Sequence, residues 1–222
     1  MSSNKAKVYG WFASGPSLMV AIFCHEKNVP FDWVNVELPQ GKQKDADYVA
    51  RVNPHGLVPA FEDVDGFTLF ESRAIARYLD EAYPNQGLQF FPKELKARAR
   101  VDAAMYAEAF QHFNYGGNMV FEILNKRFFN WPTNEEDVAY RKQKLFETYD
   151  VFETILSKQK YIAGNEFTVA DLAHIPVSYR LTHEAGLDFK TGRPNVARWL
   201  DELWARDSWK KTQEIYLDKI KQ

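Results

Sequence analysis

Short apolar runs alternate with helical patterns over the first third of the chain. Seven elements follow one another there in the order β-α-β-α-β-β-α, over residues 6–9, 16–27, 31–36, 41–52, 58–63, 67–70 and 72–82. The last two strands are joined at Asp65-Gly66, a dipeptide typical of hairpin turns. The pattern predicts a small α/β domain whose second helix is weak and lies in a polar stretch.

The first of these helices has no polar face. Every residue from Leu18 to Cys24 is apolar, so we expect the helix to lie between the sheet and another layer. Pro16 suits the first helical position and Gly15 the cap. Ser14 then falls just outside the helix, where its hydroxyl is free to face a cleft.

From Leu95 onward the chain shows helical patterns and no convincing strand. Five helices are predicted there, over residues 95–115, 119–129, 135–157, 168–184 and 196–204. Gly116-Gly117 marks a predicted break after the first of them, and a turn-rich stretch near Pro84 and Pro92 precedes it. The sequence therefore predicts an α/β domain over residues 1–83, a linker over 84–94 and an all-α domain over 95–222.

Thr168 and Asp171 have the spacing of a capping box at a helix start. The Thr168 side chain can accept the backbone N–H of Asp171, and the Asp171 carboxylate can reach back to the N–H of Thr168. We interpret this pair as a folding signal that fixes a rigid helix start in the second domain.

Composition narrows the classes of function. The 222 residues carry 28 Lys and Arg against 30 Asp and Glu, so the chain lacks the basic surface expected for non-specific binding of nucleic acid or anionic membranes. Cys24 is the single cysteine, which excludes an intrachain disulfide. The five histidines lack companions at metal-ligand spacing, so no metal is expected. Without a signal sequence or a spanning apolar run, the expected location is the cytoplasm.

Three segments of the α/β domain carry candidate chemistry. Ser14 precedes a helix start, which favours a nearby anion such as a thiolate, although turn serines are common at such positions. Pro59 opens a strand, either through an ordinary trans bond or through a cis bond that would aim the Val58 backbone toward a short peptide. Glu71 and Ser72 fit an ordinary helix start, and they also fit the ammonium and carboxylate of an amino-acid head group.

These segments together resemble the cytosolic glutathione transferases, most closely the phi class. Residues 56–63 (GLVPAFED) are similar to the family's strand with a cis-proline, and residues 69–78 (LFESRAIARY) to its site for the γ-glutamyl group of glutathione. Residues 161–174 (YIAGNEFTVADLAH) extend the likeness into the helical domain. The resemblance implies a thioredoxin-like α/β domain followed by an all-α domain, usually as a homodimer. It also implies a transferase with glutathione as co-substrate and no other cofactor.

The resemblance also assigns roles by position. Ser14 matches the catalytic serine, whose hydroxyl donates a hydrogen bond to the glutathione sulfur and favours the thiolate. The implied glutathione contacts are Gln43, Lys44, Val58, Pro59, Glu71 and Ser72. An aromatic cleft for a hydrophobic electrophile, or else plain interdomain core, is expected at Trp11, Phe12, Phe113, Tyr115 and Met119.

Several positions depart from the family's pattern. Leu57 stands where the family often has a glutamine, and Leu18 and Met19 replace a basic pair near the start of the first helix. Thiol activation is therefore expected to be weaker than usual. The predicted function is conjugation of glutathione to hydrophobic electrophiles in detoxification or stress response. The alternatives are a non-catalytic ligand carrier and a glutathione-dependent peroxidase.

Overall fold

A computed structural model describes residues 5–220, with side chains as far as residue 215. The chain divides into two compact units. The first unit joins the N-terminal part, as far as Phe90, to the chain from Asp207 onward, and the second spans Phe91–Arg206. No helix within residues 5–220 combines the length and the apolar composition needed to cross a membrane.

A four-stranded sheet forms the centre of the first unit. Its strands are β1 (Ala6–Gly10), β2 (Phe31–Asn35), β3 (Ala60–Glu62) and β4 (Thr68–Phe70), in the spatial order β2-β1-β3-β4. β2 runs parallel to β1, whereas β3 runs antiparallel to both β1 and β4. All four predicted strands are present. β3 begins two residues later than predicted, because Pro59 has no N–H to donate to a ladder.

Three helices alternate with these strands. They are α1 (Gly15–Glu26), α2 (Ala46–Arg51) and α3 (Ser72–Ala82), and two short 3₁₀ turns, Leu38–Gln40 and Lys42–Lys44, precede α2. The predicted order β-α-β-α-β-β-α is confirmed. α1 is fully buried from Leu18 to Cys24, as expected for a helix without a polar face.

The second unit is helical. Its α-helices are α4 (Leu95–Ala107), α5 (Asn118–Val120), α6 (Glu135–Leu156), α7 (Val169–Leu172), α8 (Ile175–His183) and α9 (Pro194–Trp204). Between α4 and α6 the chain stays helical through the π-helical segments Glu108–Gly117 and Phe121–Asn125 and the 3₁₀ turn Lys126–Phe129.

The predicted break at Gly116-Gly117 is wrong, because the chain continues there as a helix. Gly117 has φ −63° and ψ −43°, which are helical values. A Cβ on Gly116 would lie 2.8 Å from a methyl group of Val177, and a Cβ on Gly117 would lie 2.6 Å from the ring of Phe113. The two glycines therefore allow close packing and do not end the helix.

The single helix predicted over residues 168–184 is divided in two. α7 ends at Leu172 and α8 begins at Ile175. Pro176 has no N–H to donate to the carbonyl of Leu172, which favours the interruption of the helix at this point.

A buried carboxylate caps the start of α7. The side chain of Asp171 accepts hydrogen bonds from the backbone N–H of Ile162 and of Thr168, each at 3.0 Å, and from Nε1 of Trp199 at 2.9 Å. The predicted capping box is confirmed. Burial raises the pKa of the Asp171 carboxyl to about 6, although the hydrogen bonds act in the opposite direction.

The last helix, α10 (Asp207–Ile220), belongs to the first unit. It packs against α1, where the Ser208 hydroxyl donates to Glu26 Oε1 at 2.6 Å and Trp209 is buried. The sequence pattern predicts a helical domain over residues 95–222 and no helix beyond residue 204. α10 helps supply the second layer that was expected over α1.

Candidate functional site

Ser14 caps the N-terminus of α1. Its Oγ accepts the backbone N–H of Ser17 at 3.3 Å. Ser14 is therefore the cap and Gly15 the first helical residue, whereas the sequence pattern predicts Gly15 as the cap. A hydroxyl that accepts one hydrogen bond keeps its own hydrogen for donation. Ser14 thus fixes the helix end and still has an O–H to offer a ligand.

The residues around Ser14 are buried and uncharged. Ser17 is inaccessible, and its Oγ accepts the N–H of Trp11 at 3.3 Å. Ser14 is half-buried, so it is the serine that a ligand can reach. Leu18 and Met19 are fully buried and carry no charge. Positive potential at this helix end therefore comes from the backbone N–H groups of α1.

The Val58–Pro59 peptide bond is cis, as the resemblance implied. The carbonyl of Leu57 accepts hydrogen bonds from the Tyr48 hydroxyl at 2.8 Å and from Asn53 Nδ2 at 2.9 Å. Burial raises the pKa of Tyr48 to about 12, so the hydroxyl keeps its proton and donates. Within residues 5–220, the backbone N–H and C=O of Val58 have no hydrogen-bond partner. Both groups can therefore pair with an extended peptide.

Gln43 and Lys44 lie in the 3₁₀ turn before α2. Lys44 Nζ donates to the carbonyl of His55 at 3.0 Å and keeps two further hydrogens for a carboxylate. Gly56 has φ +58°, and a Cβ there would lie 2.8 Å from the Lys44 side chain, so both backbone and packing require glycine. Gln43 Oε1 is buried with no hydrogen-bond partner among the described residues.

Glu71 joins β4 to α3 in a strained conformation. Its φ of +68° and ψ of 106° lie where residues with a side chain are rarely found, at a cost on the order of 1 kcal/mol or more. The Glu71 side chain is exposed and makes no capping hydrogen bond to α3. Ser72, the first residue of α3, is buried. An exposed carboxylate beside uncapped N–H groups suits a ligand that carries both an ammonium and a carboxylate.

The pairing of β3 with β4 brings two of these segments together. Ala60 lies opposite Phe70 in this antiparallel pair. The residues before Ala60, Val58-Pro59, therefore lie beside the residues after Phe70, Glu71-Ser72. The peptide-pairing backbone and the candidate amino-acid site thus share one end of the sheet.

The segments that hold Ser14 and Lys44 reach the same end of the sheet. Tyr9 of β1 lies opposite Ala60, so the chain that leaves β1 passes this end of the sheet on its way to Ser14. The ring of His55 packs edge-on against Phe70, with ring centres 5.4 Å apart, and His55 carries the contact to Lys44. The first unit therefore gathers Ser14, Lys44, Val58 and Glu71 in one region.

The residues expected to line a hydrophobic cleft differ in exposure. Trp11 and Phe12 are buried in the first unit, with ring centres 5.4 Å apart. In the second unit Met119 is fully buried, whereas Phe113 and Tyr115 are half-buried. Tyr115 lines a cavity of 380 Å³ between α6 and the π-helical segment after α4. Of these three residues in the second unit, Phe113 and Tyr115 have surface that a ligand can reach.

Sequence reasoning missed Tyr48 and Asn53, which hold the Leu57 carbonyl. Tyr48 is the one buried residue of α2, and Asn53 also accepts the N–H of His55 at 3.0 Å. Two features of the sequence could have indicated them. Tyr48 takes the apolar position of a short polar helix, and Asn53 directly precedes a proline.

Family models match both parts of the chain. The glutathione S-transferase N-terminal domain matches residues 13–82, and the glutathione S-transferase C-terminal domain matches residues 117–207. Glutathione S-transferase F7 of Arabidopsis thaliana is 36% identical over 205 residues, which cover 92% of this chain and 97% of that protein. Glutathione S-transferase F14 of the same plant is 35% identical, over 96% of this chain and 84% of that protein.

Solved structures share the architecture. Glutathione transferase F2 of Populus trichocarpa gives a TM-score of 0.89 at 34% identity, over 96% of this chain and 99% of that one. Glutathione transferase F7 of the same tree gives a TM-score of 0.88 at 31% identity, over 95% and 99%. The predicted thioredoxin-like and all-α architecture is confirmed. The chain belongs to the glutathione transferase family, and its relatives place it with the plant phi class.

Proposed function

We propose that this protein activates the thiol of glutathione and conjugates it to hydrophobic electrophiles. The observation that carries the proposal is the meeting of Ser14, Val58 and Glu71 at one end of the sheet in the first unit. Membership of the glutathione transferase family supports the same activity.

Each part of glutathione has a complementary group in this region. The Glu71 carboxylate binds the ammonium of the γ-glutamyl unit, while Ser72 and the first N–H groups of α3 bind its carboxylate. The Val58 backbone pairs with the cysteinyl unit in the manner of a strand, beyond the bend at Pro59. Lys44 and Gln43 hold the glycyl end. This placement directs the sulfur toward Ser14.

Ser14 acts on the ionisation of the thiol. The Ser14 O–H donates a hydrogen bond to the sulfur, and the N-terminus of α1 stabilises negative charge there. A thiol with a pKa of ~8.5 is about 3% ionised at pH 7, and a pKa lower by two units gives roughly 75%. The difference corresponds to about 2.7 kcal/mol, which a hydroxyl and a helix N-terminus can largely supply.

The reaction then needs no group other than the thiolate. The thiol proton leaves to solvent, and the sulfur lone pair attacks the electrophilic carbon to form a C–S bond. With an aryl halide, the carbon–halogen bond breaks and the halide departs with the bonding electrons. Phe113 and Tyr115 are the proposed apolar contacts for the electrophile.

The test is the ultraviolet thiolate absorbance of bound glutathione, followed across pH in the parent and in Ser14→Ala. We expect the pKa of the bound thiol to lie about two units below its free value in the parent and to rise in the variant. Turnover of a dinitrophenyl halide at pH 7 should fall about 25-fold, in proportion to the lost thiolate. Ser157→Ala, at an exposed serine of the second unit, is the matched control.

Two results would change the assignment. Glutathione bound with an unshifted pKa, together with negligible turnover, would favour the ligand carrier, whose cleft holds apolar molecules without chemistry. Turnover of a hydroperoxide far above that of the aryl halide would favour the peroxidase, which uses the same thiolate. Absence of glutathione binding would overturn the assignment of this region to glutathione.

We also propose that the protein works as a homodimer in the cytoplasm and serves detoxification or stress response. The family resemblance supports these assignments. Light scattering behind size exclusion should give twice the 25.8 kDa of one chain. A mass equal to one chain would overturn the dimer without affecting the proposed chemistry.

A further inference from the structure

A cavity of 670 Å³ lies in the first unit near the C-terminal end of α1. Its apolar wall is formed largely by Pro30, Phe31, Trp33 and Ile215. Its polar lining consists of Lys5, His25, Lys211 and Glu214. The volume falls in the range of ~300–1,000 Å³ that is typical of small-molecule sites.

This cavity is separate from the proposed glutathione region. Ser14 precedes the first residue of α1, whereas His25 is the last residue but one. Eleven residues of α-helix correspond to about 16 Å. The cavity also lies along β2, which forms one edge of the sheet, while Glu71 follows β4 at the opposite edge. A ligand in the cavity would therefore leave the glutathione region open.

The charged groups around the cavity favour an anion. Lys5 pairs with Asp32 at 3.1 Å, so these two charges largely cancel. Lys211 is exposed and forms no ion pair with any residue that the structure describes, although Glu214 lies one helical turn away. Burial, together with the nearby Lys211 ammonium, lowers the pKa of His25, so its ring is neutral at pH 7 and adds no repulsion toward Lys211.

Two ring nitrogens beside the cavity lack hydrogen bonds. Nε2 of His25 and Nε1 of Trp33 are both buried, and neither has a partner among the described residues. Buried polar groups in folded proteins are nearly always paired, and an unpaired group costs about 1–3 kcal/mol. The lining of this cavity therefore carries polar groups that the described residues leave unsatisfied.

We propose that this cavity is a second binding site, which takes a small aromatic carboxylate. The aromatic ring lies against Phe31, Pro30 and Trp33, and the carboxylate pairs with the Lys211 ammonium at the rim. Flat apolar walls beside an ammonium that forms no ion pair with any described residue fit this class of ligand better than a cationic one. The proposal does not rest on glutathione chemistry in the rest of the first unit.

The test uses 2-naphthoate as the probe and isothermal titration calorimetry on the full chain. Saturating S-hexylglutathione is present throughout, so that the glutathione region is occupied. We expect 2-naphthoate to bind, and 2-naphthamide, its neutral analogue, to bind about tenfold more weakly. Lys211→Met should lower the affinity for 2-naphthoate about tenfold and leave the affinity for 2-naphthamide unchanged.

Lys210→Met is the matched control. Lys210 is the neighbouring exposed lysine, and it pairs with Asp207 at 3.1 Å and does not line the cavity. Its substitution should leave the affinity for 2-naphthoate within about twofold of the parent. Lys211→Glu, which reverses the charge without reaching the core, should abolish binding.

Three results would overturn the proposal. They are no binding of 2-naphthoate in the presence of S-hexylglutathione, equal affinity for the amide, and equal effects of Lys210→Met and Lys211→Met. None of these depends on turnover, so the outcome is independent of whether Ser14 activates a thiol.

Discussion

The starts of α7 and α3 each have a carboxylate and a hydroxyl side chain, but the two carboxylates differ in what they bind. At α7 the Asp171 carboxylate is buried and accepts hydrogen bonds from Ile162, Thr168 and Trp199. At α3 the Glu71 carboxylate is exposed, and its side chain makes no capping hydrogen bond. The backbone of Glu71 is also strained, whereas Thr168 has ordinary extended angles.

The difference separates a polar group that holds the fold from one that is available to a ligand. A carboxylate whose oxygens are engaged within the protein adds to stability, and its removal leaves several buried donors unpaired. A carboxylate held outward without a capping hydrogen bond stays available to a ligand, and backbone strain at such a residue is typical of binding sites. We therefore expect substitutions at the two helix starts to affect different measurements.

The largest expected effect is that of Asp171→Ala on stability. Three buried N–H groups lose their acceptor, so the free energy of unfolding should fall by about 3–5 kcal/mol. Asp188→Ala is the control, because Asp188 also accepts backbone N–H groups, from Lys190 and Thr191, but is exposed. Chemical denaturation measures both variants. A loss as small as that of the control would contradict the structural role of Asp171.

The pH dependence of stability should differ between the parent and Asp171→Asn. The folded pKa of about 6 lies above the ordinary value of 3.8, so folding favours the protonated carboxyl. The contribution of this group is fully present below about pH 4 and is lost as pH rises through 6. Between pH 4 and 7 the parent should lose about 2 kcal/mol relative to the variant, which does not titrate. If the free energy of unfolding changed equally in the parent and in the variant across that range, Asp171 would have an ordinary pKa in the folded protein.

Glu71→Gln tests the open helix start. Loss of the negative charge should weaken glutathione binding about tenfold, because the ammonium of the γ-glutamyl unit loses its counter-ion. The free energy of unfolding should stay within about 0.5 kcal/mol of the parent, since the exposed side chain makes no cap. Glu81→Gln, at an exposed position in the same helix, is the control. Equal affinities in the two variants would remove Glu71 from the proposed site.

The smallest expected effect is a gain in stability from Glu71→Gly. Glycine adopts a φ of +68° without the penalty of a side chain, so the variant should be more stable by about 1 kcal/mol while it binds glutathione poorly. Thermal unfolding and calorimetric binding measure the two properties on one sample. A variant that lost stability would show that the Glu71 side chain supports α3 after all.

Local signals were readable from the sequence. Thr168 and Asp171 are three residues apart, and Pro16 sits at a helix start, so the geometry of each depends on its neighbours in the chain. The β-α-β-α-β-β-α order followed in the same way from alternating apolar runs. The functional region was found through the resemblance of three separate segments, and the register of β3 with β4 shows why they belong together.

Distant contacts were not readable. Gly116 resembles a helix breaker until Val177, about sixty residues later, is seen to occupy the space of its missing side chain. The role of Tyr48 depends on a carbonyl beyond the end of its helix. α10 was missed because its partner, α1, lies at the other end of the chain. In each case the deciding neighbour is set by tertiary packing.

The placement of α10 has a consequence for biosynthesis. A ribosome makes the chain from the N-terminus, so the sheet and α1 emerge first, and the whole second unit must be translated before α10 follows. Until then the surface of α1 that α10 will cover is without its partner. The first unit therefore starts to be made before the second unit but is completed after it, once residues 207–222 have been translated.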